Sequence, residues 1–306
     1  MKTEYAIETE DLTKVFRSAL RPAFTAVDHI SLRVARGTIY GLLGPNGAGK
    51  TTFVKMLLSA VHPTSGHAYI YGRNSQEAEA RRPIGYLPEN HRFPTYFTGA
   101  SMLDFYAALS GLEARTRKQR IPEMLELVDL KDWGDVKLRK YSKGMLQRIG
   151  LAQALIHKPS ILILDEPTDG VDPVGRRKIR DILDRLEGVT IFINSHLLAE
   201  VEMFCKEVAI LHKGKVALTG SVKNLTAGKG YRLTAPNHMP DTLQETIRRN
   251  AVSASANDGV VEFQFTTRED ANAAIDLLRG QGTDIESLIP TTSTLEDVFI
   301  RTVEER

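Results

Sequence analysis

The sequence contains very little cysteine and no long hydrophobic run. Cys205 is the single cysteine among 306 residues, so no disulfide forms within the chain, which fits a reducing compartment. The purest apolar runs, such as Ile161 to Leu164, are far shorter than the ~18 residues of a membrane-spanning helix. Met1 to Glu4 include an acid and no apolar signal core, so we expect no export signal. We therefore expect a cytoplasmic chain without a membrane span of its own.

An excess of charge of one sign is also absent overall, because 40 Lys and Arg balance 38 Asp and Glu. The balance hides an asymmetry: from Leu225 onward there are 8 basic and 13 acidic side chains, and the remainder carries a net charge of +7. This surplus is too diffuse for a nucleic-acid interface, so we expect no nucleic-acid partner. The sign changes at Thr226 to Gly230, a small polar stretch typical of a linker, and we predict domains at 1–224 and 225–306.

Upstream of the linker, apolar strand-like runs alternate with helical patterns. The runs are Ile39 to Leu43, Ile161 to Leu164, Thr190 to Ile193 and Val208 to Leu211. Arg176 to Leu186 has apolar residues at the spacing of one helix face. The alternation predicts an α/β fold with a mostly parallel sheet covered by helices. A helix-rich block from Ser101 to Leu130 interrupts it, which predicts an inserted helical subdomain at about 90–158.

Downstream of the linker, the pattern is that of a small α+β domain. It predicts a strand near Tyr231, a helix after Pro240, a strand Val260 to Phe265, a helix Arg268 to Leu278 and a strand Ile285 to Ile289. A terminal helix follows, opened by a capping box from Thr294 to Asp297. The domain shows no catalytic constellation of its own.

Gly44 to Thr51 reads Gly-Pro-Asn-Gly-Ala-Gly-Lys-Thr and matches G-x-x-x-x-G-K-[ST], the pattern of a phosphate-binding loop. An apolar strand precedes it and a helical pattern follows it. Glycines let successive backbone N–H groups point at phosphate oxygens, and the following helix adds its unpaired N–H groups and dipole. Lys50 supplies a charge for the β- and γ-phosphates, and the Thr51 hydroxyl is a ligand for Mg²⁺.

An acidic pair completes this prediction. Asp165 and Glu166 follow the apolar run Ile161 to Leu164, at the end of a strand expected beside the strand that leads into the phosphate loop. Two acids after a strand usually form a solvated loop, but a magnesium–nucleotide site requires a carboxylate at this place. We predict that Asp165 holds Mg²⁺ and that Glu166 polarises the water that attacks the γ-phosphorus.

Tyr141 to Arg148 reads Tyr-Ser-Lys-Gly-Met-Leu-Gln-Arg. The segment ends 17 residues before Asp165. It resembles the LSGGQ signature of ATP-binding cassette (ABC) transporters, and residues 4 to 223 resemble their ATP-binding subunit. Ser142 and Gly144 match the consensus, whereas Tyr141, Lys143 and Met145 depart from it at its first, third and fifth positions. Ser142 is also a good N-cap for a helix whose N-terminus is an anion site. By resemblance, Ser142, Lys143 and Gly144 face the γ-phosphate bound on a second cassette.

The resemblance implies further site residues. Phe16 lies where an aromatic ring stacks on adenine, with Phe24 as an alternative, and Asp172 matches an aspartate that touches the opposite site. His196, after the strand Thr190 to Ile193, matches the histidine that senses the γ-phosphate. Glu89 stands where the family usually has a glutamine that contacts Mg²⁺ and couples to the membrane partner; its alternative is a loop surface.

The implied nucleotide-binding residues are Phe16, Gly44, Pro45, Asn46, Gly47, Ala48, Gly49, Lys50, Thr51 and Thr52, with Glu166 and His196 as catalytic residues and Thr51, Asp165 and Glu89 as magnesium ligands. The implied fold is a P-loop ATPase core with a mostly parallel sheet, an antiparallel β subdomain and an inserted helical subdomain, plus the C-terminal α+β domain.

The resemblance implies an ATP-hydrolysing subunit of an export-type transporter. It would dimerise around two Mg·ATP and power a separate integral membrane permease, on the inner face of the cell membrane, with room for further accessory subunits. Export is suggested by Thr294 to Phe299, which resembles the end of export-type cassettes. Two alternatives are a soluble ABC ATPase without a transport role and a nucleotide-binding module that does not hydrolyse, which the presence of Glu166 disfavours.

Overall fold

The computed structural model describes residues 4–18, 21–227, 230–257, 259–291 and 294–304. Two expectations fall partly outside the described residues: the linker, at 228–229, and the absence of an export signal at the N-terminus, at 1–3. The chain forms two compact units, one comprising Met1–Val222 with Thr302–Arg306 and the other Lys223–Arg301.

The first unit contains ten strands and seven α-helices in its described part. The strands are β1 (Tyr5–Ser18), β2 (Arg21–Ala35), β3 (Ile39–Leu43), β4 (Ser65–Ile70), β5 (Arg73–Asn74), β6 (Ile84–Leu87), β7 (Ile161–Asp165), β8 (Thr190–Asn194), β9 (Glu207–His212) and β10 (Lys215–Ser221). The helices are α1 (Lys50–Leu57), α2 (Ala78–Arg81), α3 (Gly99–Leu109), α4 (Ala114–Leu127), α5 (Lys143–Leu155), α6 (Pro173–Asp184) and α7 (Leu198–Phe204). A further helix, α8 (Val222–Thr226), lies where the two units divide.

Two sheets make up this unit. One is antiparallel with the strand order β2-β1-β4-β5, and the other has the order β10-β9-β3-β8-β7-β6. In the second sheet, β9, β3, β8, β7 and β6 are parallel and β10 is antiparallel to β9. The predicted α/β class, with a mostly parallel sheet and a separate antiparallel sheet, is confirmed.

The parallel sheet carries one correction to the sequence analysis. The strand that ends in Asp165 was expected beside the strand that leads into the phosphate loop, but β8 lies between β7 and β3. Alternation of strands and helices predicts a parallel sheet without its strand order, because any crossover helix can skip a position. The end of β8 is therefore placed between the phosphate loop and the acidic pair.

Apolar packing fixes helix α1 on this sheet. Phe53 of α1 and Tyr40 of β3 both stack on Phe192 of β8, with ring centroids 6.1 and 5.9 Å apart. All three rings are buried. The strands β7 and β8, which are apolar apart from Asp165, Thr190 and Asn194, are buried along their whole length, as expected for strands covered on both faces. The N-terminus of α1 is thus held rigidly at the carboxyl end of β3.

Helices α3, α4 and α5 are inserted between β6 and β7, together with two short 3₁₀ helices at Lys131–Trp133 and Leu138–Lys140. A capping box opens α3: the Thr98 hydroxyl accepts from the Ser101 backbone N–H, and the Ser101 hydroxyl accepts from the Thr98 N–H. Helix α6 begins at Pro173, three residues before the predicted start at Arg176, because Asp172 caps it and Pro173 occupies its first turn.

The second unit contains β11 (Tyr231–Pro236), α9 (Asp241–Asn250), β12 (Ser253–Asn257), β13 (Val260–Phe265), α10 (Arg268–Gly280), β14 (Ser287–Pro290) and most of α11 (Leu295–Glu304). The first six form a β-α-β-β-α-β arrangement with the antiparallel strand order β12-β13-β11-β14. Leu233 of β11 pairs with Phe263 of β13 and Leu288 of β14.

The predicted elements of the second unit match the structure closely, including the strand Val260–Phe265. The exception is β12, which sequence analysis missed because Ser253 to Asn257 contains no large apolar residue and is largely exposed at the sheet edge. The predicted capping box at the start of α11 is present. The Thr294 backbone N–H donates to the Asp297 carboxylate at 2.8 Å, and the Asp297 N–H donates to the Thr294 hydroxyl at 3.2 Å.

Candidate nucleotide site

The phosphate loop leads from the end of β3 into α1. Gly49 has φ +101°, and a Cβ there would lie 2.1 Å from the Ala26 carbonyl oxygen, so only glycine fits. The buried Lys50 side chain folds over the loop and donates to the carbonyl oxygens of Gly44 and Pro45 at 2.7 and 3.3 Å. The loop thereby presents backbone N–H groups, a helix N-terminus and an ammonium group at one place.

The loop borders a cleft of about 320 Å³. The lining includes Phe24, Ala26, Asn46, Gly47, Ala48, Gly49, Lys50, Thr51, Thr52, Glu89, Glu166, Asp169 and His196. The cleft thus brings together the phosphate loop, the second acid of the pair, Glu89 and His196, which are far apart in the sequence. Gly44 and Pro45 contribute through their carbonyl contacts with Lys50.

Three carboxylates lie near enough to the Lys50 ammonium group to affect its pKa. Burial lowers the pKa of Lys50, and the negative charges of Glu166, Asp165 and Glu89 oppose that shift. Lys50 and Asp165 thus interact electrostatically, and their joint binding of one magnesium–nucleotide stays a prediction. The negative charges outnumber the lysine, so the region favours a further cation.

Asp165 is 2% exposed and lies beneath the lining of the cleft. Burial raises the pKa of Asp165; the Asn194 amide and Lys50 lower it, while Glu89 and Glu166 raise it further. The Asn194 side-chain amide donates to one Asp165 oxygen. Burial, with the negative charge of Asp165 as a second cause, raises the pKa of Tyr86 to about 12. Asp165 is thus held in orientation by Asn194 on β8.

Glu166 has both carboxylate oxygens engaged. His196 Nδ1 lies 2.8 Å from Glu166 Oε1, and the Ser195 hydroxyl donates to Oε2 at 3.1 Å. The Glu166 backbone has φ +50°, a left-handed conformation that is strained for a glutamate, and its N–H donates to the Asn194 carbonyl at 2.8 Å. The Glu166 side chain lines the cleft, where Ser195 and His196 hold its carboxylate.

The donor set fits a divalent cation. The Thr51 hydroxyl and the Glu89 and Asp165 carboxylates are hard oxygen ligands of the kind that Mg²⁺ prefers. Glu89 and Glu166 each raise the pKa of Asp165, and a cation among them would relieve this repulsion. The arrangement is therefore suited to bind a triphosphate with Mg²⁺ and to hold a base nearby.

Comparison with known proteins decides the family. The family model described as "ABC transporter" matches residues 27–169. An uncharacterized ABC transporter ATP-binding protein of Nostoc sp. (strain PCC 7120) is 37% identical over 99% of this chain and 91% of its own length. The chain belongs to the ATP-binding proteins of ABC transporters. The prediction of an ATPase subunit of a transporter, with ATP as its nucleotide, is thereby confirmed.

Other similar proteins agree. The bacitracin transport ATP-binding protein BcrA of Bacillus licheniformis is 42% identical over 69% of this chain and 68% of its own length. A solved ATP-binding subunit of an ABC transporter has a TM-score of 0.64 and 27% identity, and covers 72% of this chain and 91% of that chain. The cbiO1 structure of Clostridium perfringens, described as part of the cbiONQ transporter complex, has a TM-score of 0.64 and 26% identity over 73% and 91%. ABC ATPases dimerise and work with a membrane permease.

The ABC signature residues lie outside the cleft lining of their own chain. The Ser142 hydroxyl accepts from the Met145 backbone N–H at 3.2 Å and caps α5, and the Lys143 ammonium group lies 3.2 Å from the Asp169 carboxylate. Gly144, between them and the body of α5, is half-buried. Asp172 also lies outside the lining and accepts from the Gly175 N–H at 2.6 Å as the N-cap of α6.

The aromatic ring that lines the cleft is Phe24, the alternative to Phe16, and the contact of either ring with adenine stays a prediction. The two residues are directly paired across β1 and β2, near the end where β1 leads into β2, so their side chains share one face of the sheet. Phe24 lines the cleft, whereas the Phe16 ring lies 5.2 Å from the Lys14 ammonium group. The sequence marks both rings but does not show which one faces the loop.

Replacing Phe24 with alanine is expected to weaken ATP binding about threefold to tenfold, because an aromatic stack contributes roughly 0.5–1.5 kcal/mol. Phe16→Ala, the matched control on the paired strand, is expected to change the dissociation constant less than about twofold. Calorimetric titration of both variants with ATP measures the difference. The opposite ranking would assign the adenine contact to Phe16.

Sequence reasoning missed three residues that interact with the acidic pair: Asn194, Ser195 and Tyr86. The first two directly follow the apolar core of β8, and polar residues at a strand's carboxyl end are the signal that marked His196. Tyr86 had no such signal, since it lies within β6. Asn194 and Ser195 fix the carboxylates through hydrogen bonds, whereas Tyr86 interacts with Asp165 electrostatically.

Proposed function

We propose that this chain hydrolyses ATP with Glu166 as the base, dimerises around two Mg·ATP, and powers export through a separate membrane permease. The observation that carries the proposal is the pairing of Glu166 with His196 and Ser195 at the edge of the phosphate-loop cleft. A base held by two hydrogen-bonding neighbours is what activation of a water molecule requires. A binding module without turnover has no need of this arrangement.

The loop N–H groups and Lys50 bind the phosphates. Thr51 and Glu89, which line the cleft, would hold Mg²⁺ together with Asp165, which interacts electrostatically with Glu89 and Lys50. The metal would supply charge neutralisation at the phosphate oxygens. Glu166 accepts the proton of the attacking water at its carboxylate, while Ser195 fixes its orientation. With His196 Nδ1 used on Glu166, the Nε2 atom remains for a ligand in the cleft.

The second copy supplies the other side of the site. Ser142 and Lys143 are exposed at the N-terminus of α5, where free N–H groups and the ammonium group favour an anion. Together with Gly144 and Asp172, they lie outside the lining of their own cleft. We therefore assign these four residues to the nucleotide bound by the partner copy.

Glu89 would link the metal to the permease side. Replacing it with glutamine removes one negative charge near Asp165 and is expected to raise the Mg²⁺ concentration for half-maximal ATP turnover roughly threefold to tenfold. ATPase titration with Mg²⁺ at fixed ATP measures this shift. Unchanged Mg²⁺ dependence together with unchanged transport would make Glu89 a loop surface only.

An exposed apolar surface in the inserted segment after Glu89 suits the membrane partner. We call Tyr96, Phe97, Phe105 and Leu109 the aromatic patch; Tyr96 and Leu109 are 69% and 68% exposed. The Phe97 ring lies 4.8 Å from Tyr96 and 5.7 Å from Phe105. Clustered exposed apolar side chains mark interaction sites, and aromatic residues contribute strongly to them. Among the described residues, no helix is both long and apolar enough to cross a membrane.

Co-purification tests the transport role. The wild-type chain is expected to be recovered with an integral membrane protein, and the double variant Tyr96→Asp, Leu109→Asp is expected to lose it while retaining ATP binding. Val252→Asp, at an equally exposed apolar position of the second unit, is the control. Recovery of turnover without any membrane protein would favour the alternative, a soluble ABC ATPase. The location expected is the cytoplasm, peripherally on the inner membrane face.

The second unit is proposed as an accessory domain that regulates the dimer or supports it. Export is proposed because Thr294 to Phe299, at the start of the capped helix α11, resembles the terminal segment of export-type cassettes. The permease contacts the cargo in this architecture, so its fold and the direction of transport in reconstituted vesicles test this part.

A further inference from the structure

A buried carboxyl group lies on helix α7, which begins two residues after His196. Glu200 is 5% exposed and shares the inward face of α7 with Val201 and Phe204. This face is otherwise apolar, and a carboxyl group placed there costs free energy unless a neighbour compensates for it. An apolar residue would stabilise the helix better at this position, so Glu200 calls for a functional explanation.

The surroundings of Glu200 belong to the loop that follows Glu166. Arg176 Nη1 lies 3.7 Å from Glu200 Oε1, and Arg176 Nε donates to the Val171 carbonyl at 2.9 Å. The fully buried Thr168 hydroxyl is the other neighbour. Burial raises the pKa of Glu200; Thr168, Arg176 and His196 lower it, and Glu166 raises it. Glu200 thus senses both members of the Glu166–His196 pair.

These contacts are not fully formed hydrogen bonds. Neither Glu200 oxygen, nor the Thr168 hydroxyl, has a partner of good hydrogen-bond geometry among the described residues. Buried polar atoms without such partners are rare and lower stability. A cluster of this kind is therefore poorly explained by folding alone, and it lies directly between two segments that carry the hydrolytic residues.

We propose that Glu200 is a positioning residue for hydrolysis. Its carboxyl group pairs with Arg176, which in turn donates to the Val171 carbonyl, and it lies beside Thr168. It thereby ties α7 to residues 167–172 and so holds His196 Nδ1 at 2.8 Å from Glu166 Oε1. Glu200 acts through these neighbours and does not touch ATP, because it is absent from the lining of the cleft. The inference rests on the proposed role of Glu166 as the base.

Steady-state ATPase kinetics test the proposal. Glu200→Ala is expected to lower kcat about tenfold or more and to change KM for ATP less than about threefold, since ATP binding does not use Glu200. Glu200→Gln retains an acceptor oxygen for Arg176 and Thr168 and is expected to keep kcat within about threefold of wild type. Thr168→Val is expected to lower kcat in the same way, and its effect should not add to that of Glu200→Ala.

Glu202→Ala, at an exposed position on the same helix, is the control and is expected to leave kcat and KM unchanged. All rates are referred to folded protein, measured by thermal unfolding and circular dichroism. If Glu200→Ala does not fold, the other two variants test the proposal. It then requires a lowered kcat in Thr168→Val and a kcat close to wild type in Glu200→Gln.

The positioning role is overturned if Glu200→Ala keeps kcat within about threefold of wild type, or if Glu200→Gln lowers kcat as much as Glu200→Ala. It is also overturned if the effects of Glu200→Ala and Thr168→Val on kcat are additive in the double variant. Absence of ATP turnover in the wild-type chain would instead contradict the proposed function. The two failures are therefore distinguishable.

Discussion

Replacing Glu166 with glutamine is expected to lower ATP turnover about a hundredfold or more, because a positioned general base contributes roughly 10²–10⁴-fold to a rate. Glutamine has nearly the same shape and still offers an oxygen to Ser195 or His196, so the site should keep its form. ATP affinity, measured by calorimetry, is expected to change less than about threefold. The ATP-bound dimer should then accumulate and be visible by size-exclusion chromatography.

Glu187→Gln, an exposed glutamate beyond the end of α6, is the control for the loss of one negative charge. It should leave turnover and affinity at wild-type values. Turnover of Glu166→Gln within about threefold of wild type would assign the base to another group and remove the main support for the proposed mechanism.

Replacing Lys50 with alanine is expected to weaken ATP binding roughly tenfold to a hundredfold. Hydrogen bonds to charged groups contribute about 1.5–3 kcal/mol each, and Lys50 is the cation at the centre of the phosphate loop. The substitution also leaves the carboxylates of Glu166, Asp165 and Glu89 without a neighbouring positive charge. Their negative charges then repel the phosphates more strongly. Calorimetric titration with ATP and Mg²⁺ measures the dissociation constant.

Lys55→Ala provides a matched control, because Lys55 is an exposed lysine in the last turn of the same helix. Its effect on ATP affinity should be small, since only the N-terminus of α1 borders the cleft. A Lys50→Ala variant that binds ATP as tightly as Lys55→Ala would contradict the assignment of the loop to phosphate binding.

Much of the fold was predictable because its signals are local. The apolar runs of β3, β7 and β8 and the alternation in β13 each occupy a few consecutive residues, and their observed bounds lie within one or two residues of the predicted ones. The edge strand β12 was missed because an exposed strand has no buried face to impose an apolar pattern. Strand order was also missed, since β8 separates the two strands that were expected side by side.

The candidate site divides along the same line. The phosphate loop is a contiguous motif whose glycine, lysine and threonine positions follow from backbone geometry within eight residues. The contacts that orient Asp165 and Glu166 come instead from Asn194 and Ser195, which join them only through the order of the sheet.

The sequence by itself determined the chemistry of this protein: a phosphate loop, an acidic pair and a signature helix, each encoded by neighbouring residues. Only the tertiary structure decided that Phe24 lines the cleft, that Ser195 and His196 hold Glu166, and that Glu200 is buried beside Arg176. The physical reason is range. A motif depends on the backbone of a few residues, whereas these contacts depend on packing between segments distant in the chain, which no local pattern specifies.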